Sequence, residues 1–150
     1  MKAPVEEQLL QLLGDGFLIE SDSEYSSPLV VVRKRDKSLI LCCDYTALNA
    51  KLADDQYQMP NQSDKLGKAA GAKYISMIDL KMAYYQIPVA KDSQKYRAFK
   101  SSLGLLTWTR MPFEVKVGPK VMQRLVDRIL RGEHSYVMAH WDDLAVYSID

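Results

Sequence analysis

The feature that most constrains the fold is the stretch Tyr136–Ser148, in which two short apolar runs flank the adjacent acids Asp142 and Asp143. Two strand-like runs that meet at a tight polar turn are typical of a β-hairpin, so we predict one here with both carboxylates at its tip. Aspartate also favours turns because its side chain hydrogen-bonds the neighbouring backbone. The pair alone therefore leaves two interpretations open, a plain turn and a site that uses carboxylates.

The composition is that of one globular domain with a substantial core, since the chain has 150 residues and 47% of them are hydrophobic. Twenty Lys and Arg nearly balance 19 Asp and Glu, and a formal net charge of +1 provides no bulk attraction for nucleic acid or membrane. No apolar run is long enough to cross a bilayer, and residues 1–20 lack the core of a signal peptide. We therefore expect no membrane partner.

The two cysteines indicate an intracellular protein. Cys42 and Cys43 are adjacent, which is poor geometry for a disulfide, so we expect buried thiols in the reducing environment of the cytoplasm or nucleus. The only histidines, His134 and His140, are too few to complete a zinc site with them.

The periodicity predicts an α+β chain with a mostly antiparallel sheet and helices on one face. The predicted elements are a helix at 5–13, strands at 29–34 and 39–43, a helical turn at 44–49, a helix at about 61–70, a strand at 73–80, a helical turn at 81–86, strands at 95–101 and 105–109, a helix at 119–131 and the hairpin at 136–148. Four cations form a stripe on the last helix, more typical of a solvated face than of a binding surface: Lys120, Arg124, Arg128 and Arg131.

The nearly continuous apolar run at 73–80 predicts a strand that is central in its sheet and covered on at least one face. Asp79 lies at the C-terminal end of this strand. Asp79 could cap the helical turn that follows, or it could lie at a site. If the sheet brings it to Asp142 and Asp143, the three carboxylates would repel one another unless cations bind between them. Two Mg²⁺ ions would relieve that repulsion and support nucleotidyl transfer.

Several motifs follow one another between about residue 5 and residue 148: 27–34 (SPLVVVRK), 43–49 (CDYTALN), 72–81 (AKYISMIDLK), 84–89 (YYQIPV), 110–113 (RMPF), 123–125 (QRL) and the Asp142–Asp143 hairpin. In their order and spacing, these motifs resemble the fingers and palm of a gypsy-type long-terminal-repeat retroelement reverse transcriptase. The resemblance implies a right-hand polymerase palm with a fingers hairpin. It also implies that residues 1–150 are a single fingers and palm fragment in which the family's thumb, connection and ribonuclease H parts are absent.

The activity implied is RNA-directed DNA polymerisation by a retroelement polyprotein, with two-metal transfer from a dNTP to a primer 3′-hydroxyl. The resemblance places Asp79, Asp142 and Asp143 as catalytic ligands of two Mg²⁺ ions, with Mn²⁺ as an alternative. The implied partners are an RNA or DNA template with its primer, a dNTP, and a chain or domain that supplies the thumb.

The resemblance also implies nucleotide-binding and template-binding residues. Tyr84 corresponds to an aromatic that blocks a ribose 2′-hydroxyl, Lys34 to a cation that meets the triphosphate, and Phe113 to a residue beside the nucleotide. Pro112, His140 and Trp141 fall beside template and primer. Each also has a structural interpretation, with Tyr84 and Phe113 as core aromatics and Lys34 as a solvated charge.

Departures from the family pattern support other hypotheses. His140 replaces the usual tyrosine, Ile40 replaces the arginine that grips the triphosphate, and Glu114 replaces a glycine. Losing a charged contact typically costs about 1.5–3 kcal/mol. One alternative is therefore a decayed or repurposed non-catalytic domain that binds nucleic acid or protein. A metal-dependent nuclease or other phosphotransferase built from the same carboxylates is the third hypothesis.

Overall fold

The strands of this protein form two separate sheets, one in each of two compact units. The computed structural model describes residues 2–35, 38–59, 61, 63, 67, 69–140 and 143–148, with Lys2 and His140 described by their backbone only. The first unit comprises Met1–Leu52 and Tyr84–Gly118, and the second comprises Ala53–Ala83 and Pro119–Asp150.

The elements follow the predicted order, with a strand at 18–20 and a short helix at 91–94 that the sequence did not predict. They are α1 (Lys2–Gly14), β1 (Leu18–Glu20), β2 (Ser27–Arg33), β3 (Leu39–Cys43), α2 (Thr46–Lys51), β4 (Tyr74–Asp79), a 3₁₀ helix (Ala83–Gln86), α3 (Lys91–Gln94), a second 3₁₀ helix (Lys95–Arg97), β5 (Ala98–Ser101), β6 (Gly104–Trp108), α4 (Gly118–Ile129), β7 (Val137–His140) and β8 (Asp143–Ser148).

The first unit contains a five-stranded sheet in the order β1-β6-β5-β2-β3. Its pairs are antiparallel except β2 with β5, which are parallel. Leu9 and Leu12, spaced to share one face of α1, are buried together with Phe99 and Trp108. Burial of such large side chains is the main stabilising contribution in a unit of this size.

The second unit contains a three-stranded antiparallel sheet in the order β4-β8-β7. The β4–β8 ladder runs without interruption from the pair Tyr74 and Ser148 to the pair Asp79 and Asp143. Helix α4 buries one face, on which Met122, Gln123 and Val126 are all at most 4% exposed. The α+β class with mostly antiparallel strands is confirmed.

Two predictions about strands are wrong. β4 is an edge strand with all six residues exposed, not a covered central strand. A continuous apolar run indicates that a strand prefers to be buried, but it does not show which other segment would cover the strand. Residues 95–97, predicted as strand, form a 3₁₀ helix that directly continues α3. The Arg97 guanidinium reaches back along this helical segment and donates to the Ser93 carbonyl at 2.8 Å.

Some predictions fall on residues outside the description. Half of the helix predicted at about 61–70 does, and so do the tip of the turn between β2 and β3, Trp141 and Asp142. No helix among the described residues is long and apolar enough to cross a membrane.

Candidate functional site

Two of the predicted carboxylates lie directly opposite each other in the second unit. Asp79 is the last residue of β4, Asp143 is the first of β8, and the antiparallel register pairs them. Directly paired residues of an antiparallel ladder point to the same face of the sheet, so the two carboxylates are neighbours on one face. Both are exposed. Asp143 belongs to the strand rather than to the turn, since it also pairs with His140 of β7.

The alternative role of Asp79 as a helix cap does not fit the chain. The 3₁₀ helix begins at Ala83, four positions after Asp79, and a capping residue must directly precede the first helical residue. Asp79 is thus left as an exposed carboxylate at a strand end. Asp142, the third predicted ligand, lies outside the described residues.

The oxygen donors of this pair suit a hard divalent cation. Like charges directly opposite on a sheet are destabilising, and a cation with a preference for carboxylate oxygens removes that repulsion. In the part of the chain that the structure describes, no group of three His, Cys, Asp or Glu side chains could hold a metal ion. A third protein ligand would therefore have to come from a residue such as Asp142.

A buried glutamine ties helix α4 to the hairpin that carries Asp143. Gln123 is 0% exposed, and its amide donates to the carboxylate of Asp127 at 2.8 Å and to the carbonyl of Ala139 at 3.4 Å. Ala139 pairs with Leu144, one rung from Asp143. Gln123 was part of a family motif in the sequence, but its role was missed. The signal in the sequence that could have revealed this role is the amide side chain of Gln123 among the apolar positions of a predicted helix.

The first two cations of the predicted basic stripe bind the segment that precedes β4. The Arg124 guanidinium forms an ion pair with Asp55, and the Lys120 ammonium donates to the Asp55 carbonyl at 2.5 Å. The Tyr57 backbone N–H, with a smaller contribution from Arg124, holds the pKa of the Asp55 carboxyl below its usual range. Arg124 also lies over the ring of Tyr57, 5.1 Å from its centroid. The stripe is thus partly a structural contact instead of a solvated face.

In the first unit, the two aromatics predicted to meet the nucleotide are in contact. The Tyr84 and Phe113 rings meet edge to face with centroids 5.7 Å apart. Tyr85 extends the cluster, since it lies 5.4 Å from Phe113 and stacks on Trp108 at 5.1 Å. Phe113 remains 37% exposed and Pro112 is buried. The structural interpretation of these aromatics as core residues therefore fits Phe113 poorly, and it fits Tyr85 and Trp108 better.

Asn49 holds the loop that carries Phe113. Its amide nitrogen donates to the Glu114 carbonyl at 2.8 Å, and its amide oxygen accepts the Lys116 N–H at 2.8 Å. Glu114 adopts a positive φ of 69° between these two bonds. Sequence reasoning missed this role, because nothing local in the sequence connects Asn49 to residues 65 positions away.

Lys34 is exposed at the end of the hairpin formed by β2 and β3, whose ladder it extends by donating its N–H to the Ser38 carbonyl at 2.9 Å. Val32 pairs with Ile40 across that hairpin. Alternation along a strand places Lys34 on the same face as Val32, and therefore as Ile40. Ile40, which replaces the family's arginine, thus lies on the same face of the hairpin as Lys34, and its side chain is apolar.

Comparison with known proteins decides the family. The family model described as reverse transcriptase (RNA-dependent DNA polymerase) matches residues 32–150. The chain belongs to the reverse transcriptase family. The matched region includes the carboxylate hairpin and the Phe113 loop, so both lie within the reverse transcriptase domain.

Polyproteins of mobile elements and viruses are among the relatives of this reverse transcriptase domain. It is 33% identical to the retrovirus-related Pol polyprotein from transposon opus of Drosophila melanogaster, with 100% of this chain and 16% of that protein covered. It is 31% identical to the enzymatic polyprotein of Figwort mosaic virus (strain DxS), with 94% and 22% covered. The chain therefore spans about a fifth of the length of these relatives.

A solved reverse transcriptase has the same fold. The foamy viral protease-reverse transcriptase in complex with an RNA/DNA hybrid matches with a TM-score of 0.88 and 26% identity, over 99% of this chain and 20% of that one. The polymerase palm and fingers architecture expected from the sequence is confirmed by this likeness.

Proposed function

We propose that this domain is the fingers and palm part of an RNA-directed DNA polymerase from a gypsy-type long-terminal-repeat retroelement. Its reaction would be transfer of a nucleotide from a dNTP to a primer 3′-hydroxyl. The observation that carries the proposal is the direct pairing of Asp79 with Asp143 at one end of the β4–β8 ladder. The similarity to the transposon opus polyprotein supports the retroelement assignment.

Asp79 and Asp143, together with Asp142, are the residues that would hold two Mg²⁺ ions, with Mn²⁺ as an alternative. When bound, the ions supply activation of the attacking hydroxyl and neutralisation of the charge that develops on the leaving pyrophosphate. The task of the chain's own residues is placement. The β4–β8 register holds two of the carboxylates on one face, and the Gln123 bond to Ala139 supports the strand beside Asp143.

Tyr84 would exclude a ribose 2′-hydroxyl with its ring, and Phe113, in edge contact with that ring, would limit its movement. Lys34 would bind the triphosphate as an exposed cation on the fingers hairpin. Pro112, His140 and Trp141 would lie beside template and primer. The partners on this proposal are an RNA or DNA template with its primer, a dNTP, and a chain or domain that supplies the thumb.

A reducing intracellular compartment, cytoplasmic or nuclear, suits the two thiols. Cys42 and Cys43 are both free, and burial raises the pKa of each thiol, which keeps them protonated and unreactive.

A second candidate function is that of a diverged, non-catalytic domain that binds nucleic acid or protein. The specific observation that favours it is the pairing of Ile40 with Val32, which makes an apolar pair where the family has a triphosphate-binding arginine. Glu114 adds a negative charge to the loop beside Phe113. The two candidates differ in whether the carboxylate pair supports incorporation.

Primer extension separates the candidates. We would measure incorporation on an RNA template with a DNA primer, in Mg²⁺ and in Mn²⁺, for the unaltered chain, Asp79→Asn and Asp143→Asn. We expect each substitution to lower incorporation by about 100-fold or more, the scale seen when one electrostatic group is removed where charge develops. Asp92→Asn removes an exposed carboxylate in the first unit and should leave incorporation unchanged.

Thermal unfolding with and without Mg²⁺ gives a second measurement that does not depend on turnover. Because an ion that binds only the folded state stabilises it, Mg²⁺ should raise the unfolding temperature of the unaltered chain and not that of the Asp79→Asn/Asp143→Asn chain. A folded chain that binds Mg²⁺ but incorporates nothing would support the second candidate.

A further inference from the structure

The first unit contains a half-open cavity of about 420 Å³ whose lining residues have no role in the site described above. The tyrosines Tyr25 and Tyr96 contribute to its lining, as do the apolar side chains of Leu48 and Leu52 and the cation Lys51. A volume of this size is within the range of sites that bind small ligands.

Polar bonds outside the cavity join the two backbone segments that carry these tyrosines. The Ser23 hydroxyl donates to the Lys95 carbonyl at 2.7 Å and accepts the Tyr25 N–H at 3.0 Å, so the two segments that carry the rings are joined. The ring centroids of Tyr25 and Tyr96 are 5.0 Å apart at an interplanar angle of 50°. Both rings remain substantially exposed, at 44% and 39%. The pair is thus an aromatic surface on two joined segments, and it remains open to a ligand.

The charges at this cavity favour an anion. Lys51 is exposed in the lining, and the Lys95 ammonium lies 5.1 Å from the centroid of the Tyr96 ring. None of the described residues that line the cavity is acidic. Aromatic rings beside cations are the combination by which proteins bind single-stranded nucleic acids, with bases on the rings and phosphates on the cations.

We propose that this cavity binds one unpaired nucleotide of a single-stranded nucleic acid, with its base against Tyr25 and Tyr96 and its phosphate on Lys51. An apolar peptide side chain would also contact Leu48 and Leu52, but it would leave the cation without a counter-charge. The inference rests on the proposed function for its nucleic-acid ligand, but it requires no catalytic step. Binding can therefore be tested whether or not the chain incorporates nucleotides.

The test is fluorescence anisotropy with labelled 12-nucleotide oligo(U) and oligo(dT), using the 150-residue chain at low and moderate salt. Tyr25→Ala should raise the Kd about tenfold, since stacking on one aromatic ring contributes on that scale. Lys51→Ala should weaken binding and lower the slope of log affinity against log salt by about 0.7, the value for one phosphate contact on a single strand. Tyr25→Phe keeps the ring and should bind like the unaltered chain.

Matched controls lie outside the cavity. Tyr74→Ala removes an exposed ring of the second unit, and Lys91→Ala removes an exposed cation of α3. Neither should change the Kd, and binding of a 12-base-pair duplex should be insensitive to Tyr25→Ala. Affinity that is unchanged in the cavity variants, or weakened equally by the control variants, would overturn the proposal. So would an unaltered chain that binds neither oligonucleotide but binds an apolar peptide.

The Asp79→Asn/Asp143→Asn chain separates this inference from the proposed polymerase. It should lose primer extension and still bind the oligonucleotides at least as tightly as the unaltered chain. If the cavity variants bind normally while extension depends on Asp79 and Asp143, only the cavity inference fails. If the cavity variants lose binding and no chain extends a primer, only the polymerase proposal fails.

Discussion

Glu114 adopts a backbone conformation that residues with a Cβ seldom accept. Its φ is 69°, in the left-handed region that costs a non-glycine residue about 1 kcal/mol. The hydrogen bond from Asn49 to its carbonyl helps to hold it there. The reverse transcriptase family usually has glycine at this position, and the positive φ provides the reason. In this chain Glu114 causes a backbone strain that glycine would avoid.

Replacing Glu114 with glycine should therefore stabilise the chain. We expect Glu114→Gly to raise the free energy of unfolding by about 1 kcal/mol in urea denaturation, because glycine adopts this φ without steric cost. Lys116→Gly is the matched control, since Lys116 lies in the same loop and is not among the residues with positive φ. It should be neutral or destabilising, and a destabilised Glu114→Gly chain would contradict the strain argument.

The loop at residues 112–117 is an element without regular secondary structure, and it is held by a helix far away in sequence. Asn49 of α2 satisfies one carbonyl and one N–H of this loop, at 2.8 Å each. The loop in turn presents Phe113 to Tyr84. The position of Phe113, a predicted nucleotide-binding residue, thus depends on Asn49, a side chain that does not contact the nucleotide in our proposal.

Asn49→Ala should loosen this element. With two hydrogen bonds lost, we expect the free energy of unfolding to fall by about 1–2 kcal/mol, and exchange of the Lys116 amide hydrogen to become faster. Asn61→Ala is the control, because Asn61 makes one exposed local bond, from the Ser63 N–H to its side chain at 3.0 Å. Unchanged exchange at Lys116 would show that the loop keeps its conformation without Asn49.

At the scale of the whole molecule, the most unusual feature is the exposed apolar surface of β4. This edge strand exposes four large apolar residues, Tyr74, Ile75, Met77 and Ile78, at 67%, 57%, 67% and 46%. Edge strands with exposed apolar side chains are prone to pair with other chains, because their free backbone groups act as a template. The same strand ends in Asp79, so one element carries both the exposed apolar surface and a residue of the candidate site.

The isolated chain should therefore self-associate through β4. We expect Ile75→Lys to lower the weight-average mass at micromolar concentration in sedimentation velocity, because a charge on an edge strand opposes pairing. Leu10→Lys is matched, since Leu10 of α1 is likewise 57% exposed but lies on a helix. A monomeric unaltered chain, or equal effects of both substitutions, would contradict this role of β4.

The sequence alone predicted the α+β class and most of the elements, because hydrophobic periodicity is a local property of the chain, and the order of its motifs carried the resemblance to reverse transcriptases. The strand β1 and the short helix α3 were not predicted. The hairpin at 136–148 was predicted from two apolar runs, and β7 and β8 occupy it. The position of Asp79 at a strand end followed in the same way. The roles of the predicted site residues stay predictions, and Asp142 and Trp141 lie outside the described residues.

Only the tertiary structure decided which of these segments meet. The register that sets Asp79 opposite Asp143, the bonds from Asn49 to a loop 65 residues away, and the exposure of β4 all depend on pairing between distant segments. Such pairing is chosen by the packing and hydrogen bonding of the whole chain, so a local pattern cannot specify it. For this reason the sequence predicted the chemistry of the carboxylates, while their direct pairing across β4 and β8 came from the fold.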